Sequence, residues 1–257
     1  MRPDAVIVAL AALAGLLLGS FANVVIWRVP RGKSVVSPPS ACPRCGARIR
    51  WWQNVPVVSF LALRGRCAPC RAPISWRYPL VELGTAALFA LTAWWRGAEL
   101  DLPAFLALAF AAVVLTAIDI EHRRLPNAIV LPAIPVVGVL LALTGEWGDL
   151  LRAAIAAAAL FAFYLAIALI APRGMGMGDV KLAALVGLAL GWIGWDALVV
   201  GAFAAFVFGS IGGLVVMARG GSRKSAIPFG PWMLLGMAVG LVAGPAVSAW
   251  YLGMLGF

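Results

Sequence analysis

Two aspartates and four cysteines hold most of the chemistry available to this chain. Asp119 lies in Ala117-Ile118-Asp119-Ile120-Glu121-His122-Arg123-Arg124-Leu125-Pro126-Asn127, where an apolar segment ends. A carboxylate there faces the negative end of its own helix dipole, so capping of that helix does not explain it. Pairing with Arg123 or Arg124 in a solvated loop is the bland alternative. Asp179 follows Gly174-Met175-Gly176-Met177-Gly178 and opens another apolar segment. Asp is a favoured N-cap, and simple capping is the bland reading here. The three glycines point further, because a bare backbone beside a carboxylate lets another extended chain approach closely. Two carboxyl groups sharing one site cannot both ionise, so one keeps a proton while the other is a base. Such a pair can activate a water against a peptide carbonyl and protonate the leaving amine. Other hydrolytic routes are poorly supplied. The single histidine, His122, has no evident Ser or Cys partner, and the chain contains neither H-E-x-x-H nor G-x-S-x-G.

The cysteines form two C-x2-C pairs, Cys42-Pro-Arg-Cys45 and Cys67-Ala-Pro-Cys70, with 21 residues between them. That gap slightly exceeds the usual zinc spacing. Each pair can offer two thiolates from one tight turn, and four thiolates complete a tetrahedral shell. Gly46 follows the first pair, where such a turn needs a permissive residue. A closed four-cysteine shell would be structural, leaving no open position for catalysis. The alternatives are free thiol pairs in a reducing compartment, or disulfides in an oxidising one.

These residues must be positioned by membrane helices. Of the 257 residues, 63% are hydrophobic and only 12% charged. That is too apolar for a soluble or disordered chain of this size, and four cysteines are too sparse for a disulfide scaffold. Crossing a bilayer takes roughly 20 apolar residues. Eight segments approach this, near 5–27, 79–95, 102–118, 128–144, 150–171, 180–195, 197–218 and 232–252. The first is too long for the apolar part of a signal peptide and is read as a retained helix. The sixth is short and interrupted by Gly187 and Gly191. The expected architecture is an all-α polytopic bundle of about eight transmembrane helices. Its parts are a first helix (1–27), a small cytoplasmic four-cysteine domain (28–78) stapled by zinc, and a seven-helix core (79–257). No internal repeat is evident.

Orientation follows from the bases. Ten lie in 28–78, and Arg123, Arg124, Arg173, Lys181, Arg219, Arg223 and Lys224 fall on the same side of the alternating spans. Only Arg2, Arg96 and Arg152 fall on the other. The crowded side is therefore expected to be cytoplasmic, with both termini outside. The net charge of +10 becomes a topology signal, and no nucleic-acid-binding module accompanies it. Only Glu82, Asp119, Glu121 and Asp179 are acids on or near the basic face.

At this point the residues resemble a known family, the bacterial type IV prepilin peptidases. The resemblance runs from Gly19-Ser20-Phe21-Ala22-Asn23 through Arg28-Val29-Pro30, both Cys pairs, Gln53-Asn54-Val55-Pro56 and Arg77-Tyr78-Pro79-Leu80-Val81-Glu82-Leu83. It continues through the Asp119 segment to Leu125-Pro126-Asn127, Gly176-Met177-Gly178-Asp179 and Ile227-Pro228-Phe229-Gly230-Pro231. G-x-G-D alone is a short pattern; these blocks in this order are specific. Asn127 stands where many members have Asp. The resemblance implies an aspartic endopeptidase of the G-x-G-D class with Asp119 and Asp179 as catalytic carboxylates and Gly176 and Gly178 in the active-site loop. Substrates would be prepilins and type II secretion pseudopilins, cleaved after Gly at the cytoplasmic face of the inner membrane. The new N-terminus would then be methylated from S-adenosylmethionine, since the Cys-containing domain accompanies the methylating form. Glu82 and Arg77 are candidates for that step, although a snorkelling pair at a helix start explains them equally well. Glu121, beside the dyad, is a candidate for offsetting a basic leader. A transporter would place ionisable groups near helix centres, which are almost free of charge here. A zinc-stapled scaffold without chemistry would tolerate loss of either aspartate, and a peptidase that does not methylate would keep only the first step.

Overall fold

The structure is a computed structural model that describes residues 4–171, 174–220 and 228–256. Arg2, Arg173, Arg223, Lys224 and Ile227 lie outside the described residues. Among those described, every regular element is helical. The helices are α1 (Ala5–Arg28), α2 (Val58–Ala62), α3 (Arg77–Arg96), α4 (Leu102–His122), α5 (Asn127–Ala142), α6 (Trp147–Ile170), α7 (Met177–Ile193), α8 (Trp195–Ala218) and α9 (Gly230–Met254). Leaving out the short α2, these match the eight expected segments. Five of them, α1, α4, α6, α8 and α9, are long and apolar enough to cross a membrane. The chain divides into two compact units, 1–114 and 115–257, with the division falling inside α4.

In the first unit, α1 and α3 run antiparallel along a close seam. A Cβ on Gly15 would lie 2.8 Å from the Cα of Ala86, and one on Gly19 would lie 2.7 Å from the Cα of Glu82. One turn further along α1, Asn23 bonds the carbonyl of Tyr78. Small residues let the backbones meet, which is how helices associate where lipid is as apolar as a side chain. Beyond α1 the chain is irregular. Buried Arg28 organises it by donating to the carbonyls of Ser34 at 2.8 Å and Pro38 at 2.6 Å. This base, read as a topology marker, is therefore also a structural strut. Arg96 makes an ion pair with Asp101 at the α3–α4 turn, through its Nε at 3.0 Å.

In the second unit, α7 is the most enclosed helix, with Val180, Leu182, Ala183 and every residue from Leu185 to Trp192 buried. Gly187 and Gly191, which interrupt this segment in sequence, are where α7 meets α6. A Cβ on Gly187 would lie 2.8 Å from the Cα of Ala157, and one on Gly191 would lie 3.0 Å from the Cα of Ala153. Arg152 pairs with Asp149 and also donates to the carbonyls of Gly191 and Trp192, so a cation caps the C-terminal end of α7. Helices α8 and α9 pack antiparallel in the same close manner, Gly236 against Ala205 and Gly244 against Ala197.

Candidate functional site

Asp119 is buried in the last turns of α4, only 4% exposed. The helix stops just after it because Arg123 takes a left-handed conformation (φ 51°) while its N–H closes on the Asp119 carbonyl at 2.8 Å. The Asp119 carboxylate is held by another helix. Its Oδ2 accepts the N–H of Gly230, the first residue of α9, at 3.0 Å. The negative end of its own helix is thus offset by the positive end of α9. Among the described residues no ion pair joins Asp119 to Arg123 or Arg124.

Asp179 is the third residue of α7, and its Oδ2 accepts the Gly176 N–H at 3.2 Å. It therefore bonds back to the first turn from the third helical position, whereas the bland reading has Asp179 itself as the N-cap, a place that Gly176 holds. It also lies close enough to Asp119 to feel that carboxylate's charge. Leu125 links the two settings. A Cβ on Gly178 would lie 2.9 Å from the Leu125 Cβ, and one on Gly230 would lie 3.2 Å from the Leu125 Cδ2. The glycines at 178 and 230 are what let Leu125 sit between the two helix starts. Lys181 bonds Asn127 at 2.9 Å, tying the first turn of α7 to the start of α5.

Tyr164, 1% exposed on α6, feels the charge of Asp179, stacks with Phe206 and meets Phe229 at a tilt. Phe206 and Phe229 also pack on each other, with ring centroids 5.6 Å apart. Sequence reasoning does not single out Gly230, Leu125 or Tyr164 as site residues. Gly230 and Leu125 carry a signal, through their places in the Pro228-Phe229-Gly230-Pro231 and Leu125-Pro126-Asn127 blocks; Tyr164 carries none.

The four cysteines converge in the first unit, all four sulfurs within 4.8 Å of one another, Cys42 and Cys70 at 3.9 Å. Sulfurs about 2.3 Å from a shared tetrahedral centre stand about 3.8 Å apart, so this cluster fits a metal ion. The two pairs are copies of one turn. Cys42 N–H bonds Ala47 O and Gly46 N–H bonds Cys42 O; twenty-five residues on, Cys67 N–H bonds Ala72 O and Arg71 N–H bonds Cys67 O. Matching bridges join Ala41 to Arg48 and Arg66 to Pro73. The expectation of no internal repeat is corrected at this scale. The N–H groups of Cys45 and then Arg44 pull the Cys42 thiol down to about 6. Cys67, although the Cys70 N–H favours its thiolate, is pushed up to about 12 by desolvation and the neighbouring sulfurs. Four such sulfurs can all be anionic only around a cation.

Glu82 is buried in the first unit, away from the cysteines in sequence, and accepts the Val57 N–H at 2.7 Å. Arg77, at the start of α3, lies over the Tyr78 ring. Glu121 is exposed, one turn or less beyond Asp119, with His122 at 3.8 Å.

Residues 13–96 match the model of the bacterial peptidase A24 N-terminal domain, and residues 106–216 match that of the type IV leader peptidase family. A protein of Pseudomonas putida named prepilin leader peptidase/N-methyltransferase is 36% identical, covering 100% of this chain and 97% of its own length. A protein of the same name from Neisseria gonorrhoeae is 38% identical over 87% of this chain and 86% of its own. Another from Aeromonas hydrophila is 36% identical over 95% and 93%. No solved structure matches the chain.

Proposed function

This chain belongs to the type IV leader peptidase family, and from that membership we propose that it cleaves prepilins and pseudopilins with Asp119 and Asp179 as its catalytic carboxylates. The observation that carries this reading is that Gly230, which bonds Asp119, and Gly178, which precedes Asp179, both close on Leu125. One carboxylate takes a proton from water as that water attacks the scissile carbonyl. The other gives a proton to the leaving amine. Gly176 and Gly178 form the active-site loop that leads into Asp179, with Gly178 making room for Leu125. Glu121 offsets the basic leader.

The protein is a multi-pass protein of the bacterial inner membrane, with the basic face cytoplasmic and both termini outside. The relatives' shared name supports a second step, N-methylation of the new N-terminus. S-adenosylmethionine supplies the methyl group, and Glu82 and Arg77 serve that step. The four cysteines hold a structural zinc, consistent with their spacing.

Cleavage of a purified prepilin by the wild type, Asp119→Asn and Asp179→Asn proteins tests the dyad. Both variants are expected to lose cleavage while remaining folded; full activity in either removes that residue from the mechanism. Mass spectrometry of the product shows whether one methyl group has been added.

A further inference from the structure

The α1–α3 seam contains more hydrogen-bond acceptors than donors. Glu82 is only 8% exposed, and one of its oxygens accepts the Val57 N–H at 2.7 Å. The Ser20 hydroxyl lies beside Glu82 and donates to the Asn54 carbonyl at 3.4 Å. Asn23, 3% exposed, spends its amide N–H groups on the carbonyls of Gly19 and Tyr78. Its buried Oδ1 has no partner among the described residues. Gly19 packs on Glu82, so Asn23 stands one helical turn along the same seam. Among the described residues no base pairs with Glu82.

The turn over this seam is strained. Val57 has φ 60° and ψ −49°, and the Val58 N–H reaches back to the Pro56 carbonyl at 2.5 Å. This is a γ-turn of the rare form, and a β-branched residue adopts it at a cost. The turn aims the Val57 N–H at Glu82. A buried carboxylate and an orphan acceptor call for a ligand rich in donors and positive in charge, and a primary ammonium brings three N–H donors.

We propose that Ser20, Asn23 and Glu82 form a binding site for a primary α-ammonium group. This rests on the methylation reading above, in which both the cut pilin and the methyl donor carry such a group. If the ammonium is the pilin's, Glu82 takes one of its protons and passes it to water, and the freed nitrogen lone pair would form a bond to the methyl carbon as the methyl–sulfur bond of S-adenosylmethionine breaks and S-adenosylhomocysteine leaves.

Binding to the full-length protein in detergent tests the site without turnover. The probes are a peptide beginning with Phe and bearing a free α-amine, its N-acetylated twin, and S-adenosylhomocysteine. The wild type is expected to prefer the free amine, or Glu82→Gln to weaken S-adenosylhomocysteine, by about tenfold or more, the scale of a charged hydrogen bond. Loss of the peptide preference in Glu82→Gln and Ser20→Ala assigns the pilin amine. Loss of S-adenosylhomocysteine affinity alone assigns the donor. If Glu82→Gln does not fold, Ser20→Ala decides. If neither affinity changes more than twofold, the site is overturned. Absence of methylated product from the wild type would instead refute the methylation reading.

Discussion

Gly230→Ala isolates the contact that seats Asp119. The added Cβ would lie 2.8 Å from Asp119 Oδ2 and 3.2 Å from Leu125 Cδ2, where ordinary contact begins at 3.4 Å. The carboxylate must retreat by roughly half an ångström, stretching its 3.0 Å bond from the Gly230 N–H. A hydrogen bond to a charged group contributes about 1.5–3 kcal/mol, so loss of it predicts a fall in kcat of about 10- to 100-fold. Alanine is the better helix former by up to about 1 kcal/mol, which opposes any loss of stability. Cleavage of a prepilin at saturating concentration, with thermal unfolding of the same preparations, separates the two effects. Gly148→Ala is the control, because a Cβ there meets nothing within 4 Å. Wild-type turnover by Gly230→Ala, or a loss of activity no larger than its loss of folded protein, would refute the argument.

If the four cysteines hold a metal as proposed, Cys67→Ser is expected to lower the metal content found by elemental analysis and to unfold at lower temperature. Arg71→Gly should act oppositely: Arg71 has φ 57° where the matching turn has Gly46, and relief of that conformation is worth about 1 kcal/mol in thermal stability. Gly19→Ala should cost about 1–3 kcal/mol, because its Cβ meets the backbone of Glu82, whereas Gly84→Ala, open on α3, should cost nothing measurable.

The residue types that do chemistry are legible in the sequence, because Asp, Cys and Gly at fixed spacing have few other uses in an apolar chain. Their settings are less so. The two cysteine turns share Cys, Cys, Ala and Ile at matching places, followed by Trp51 and Trp76, but the residues between differ, and the likeness is completed by matching backbone bonds. Asp119 reads as poorly placed when only its own helix is considered; the helix that balances it begins more than a hundred residues later, at Gly230. Helices that are apolar all round also lack a polar face from which to read their packing. What remains legible is small residues recurring every fourth position. Gly15, Gly19 and Asn23 trace the α1–α3 seam, and Gly236, Gly240 and Gly244 trace the α8–α9 seam. In this chain, glycine spacing therefore records which helix faces meet, and the departure from it at Asn23 marks where a seam of small residues becomes a polar site.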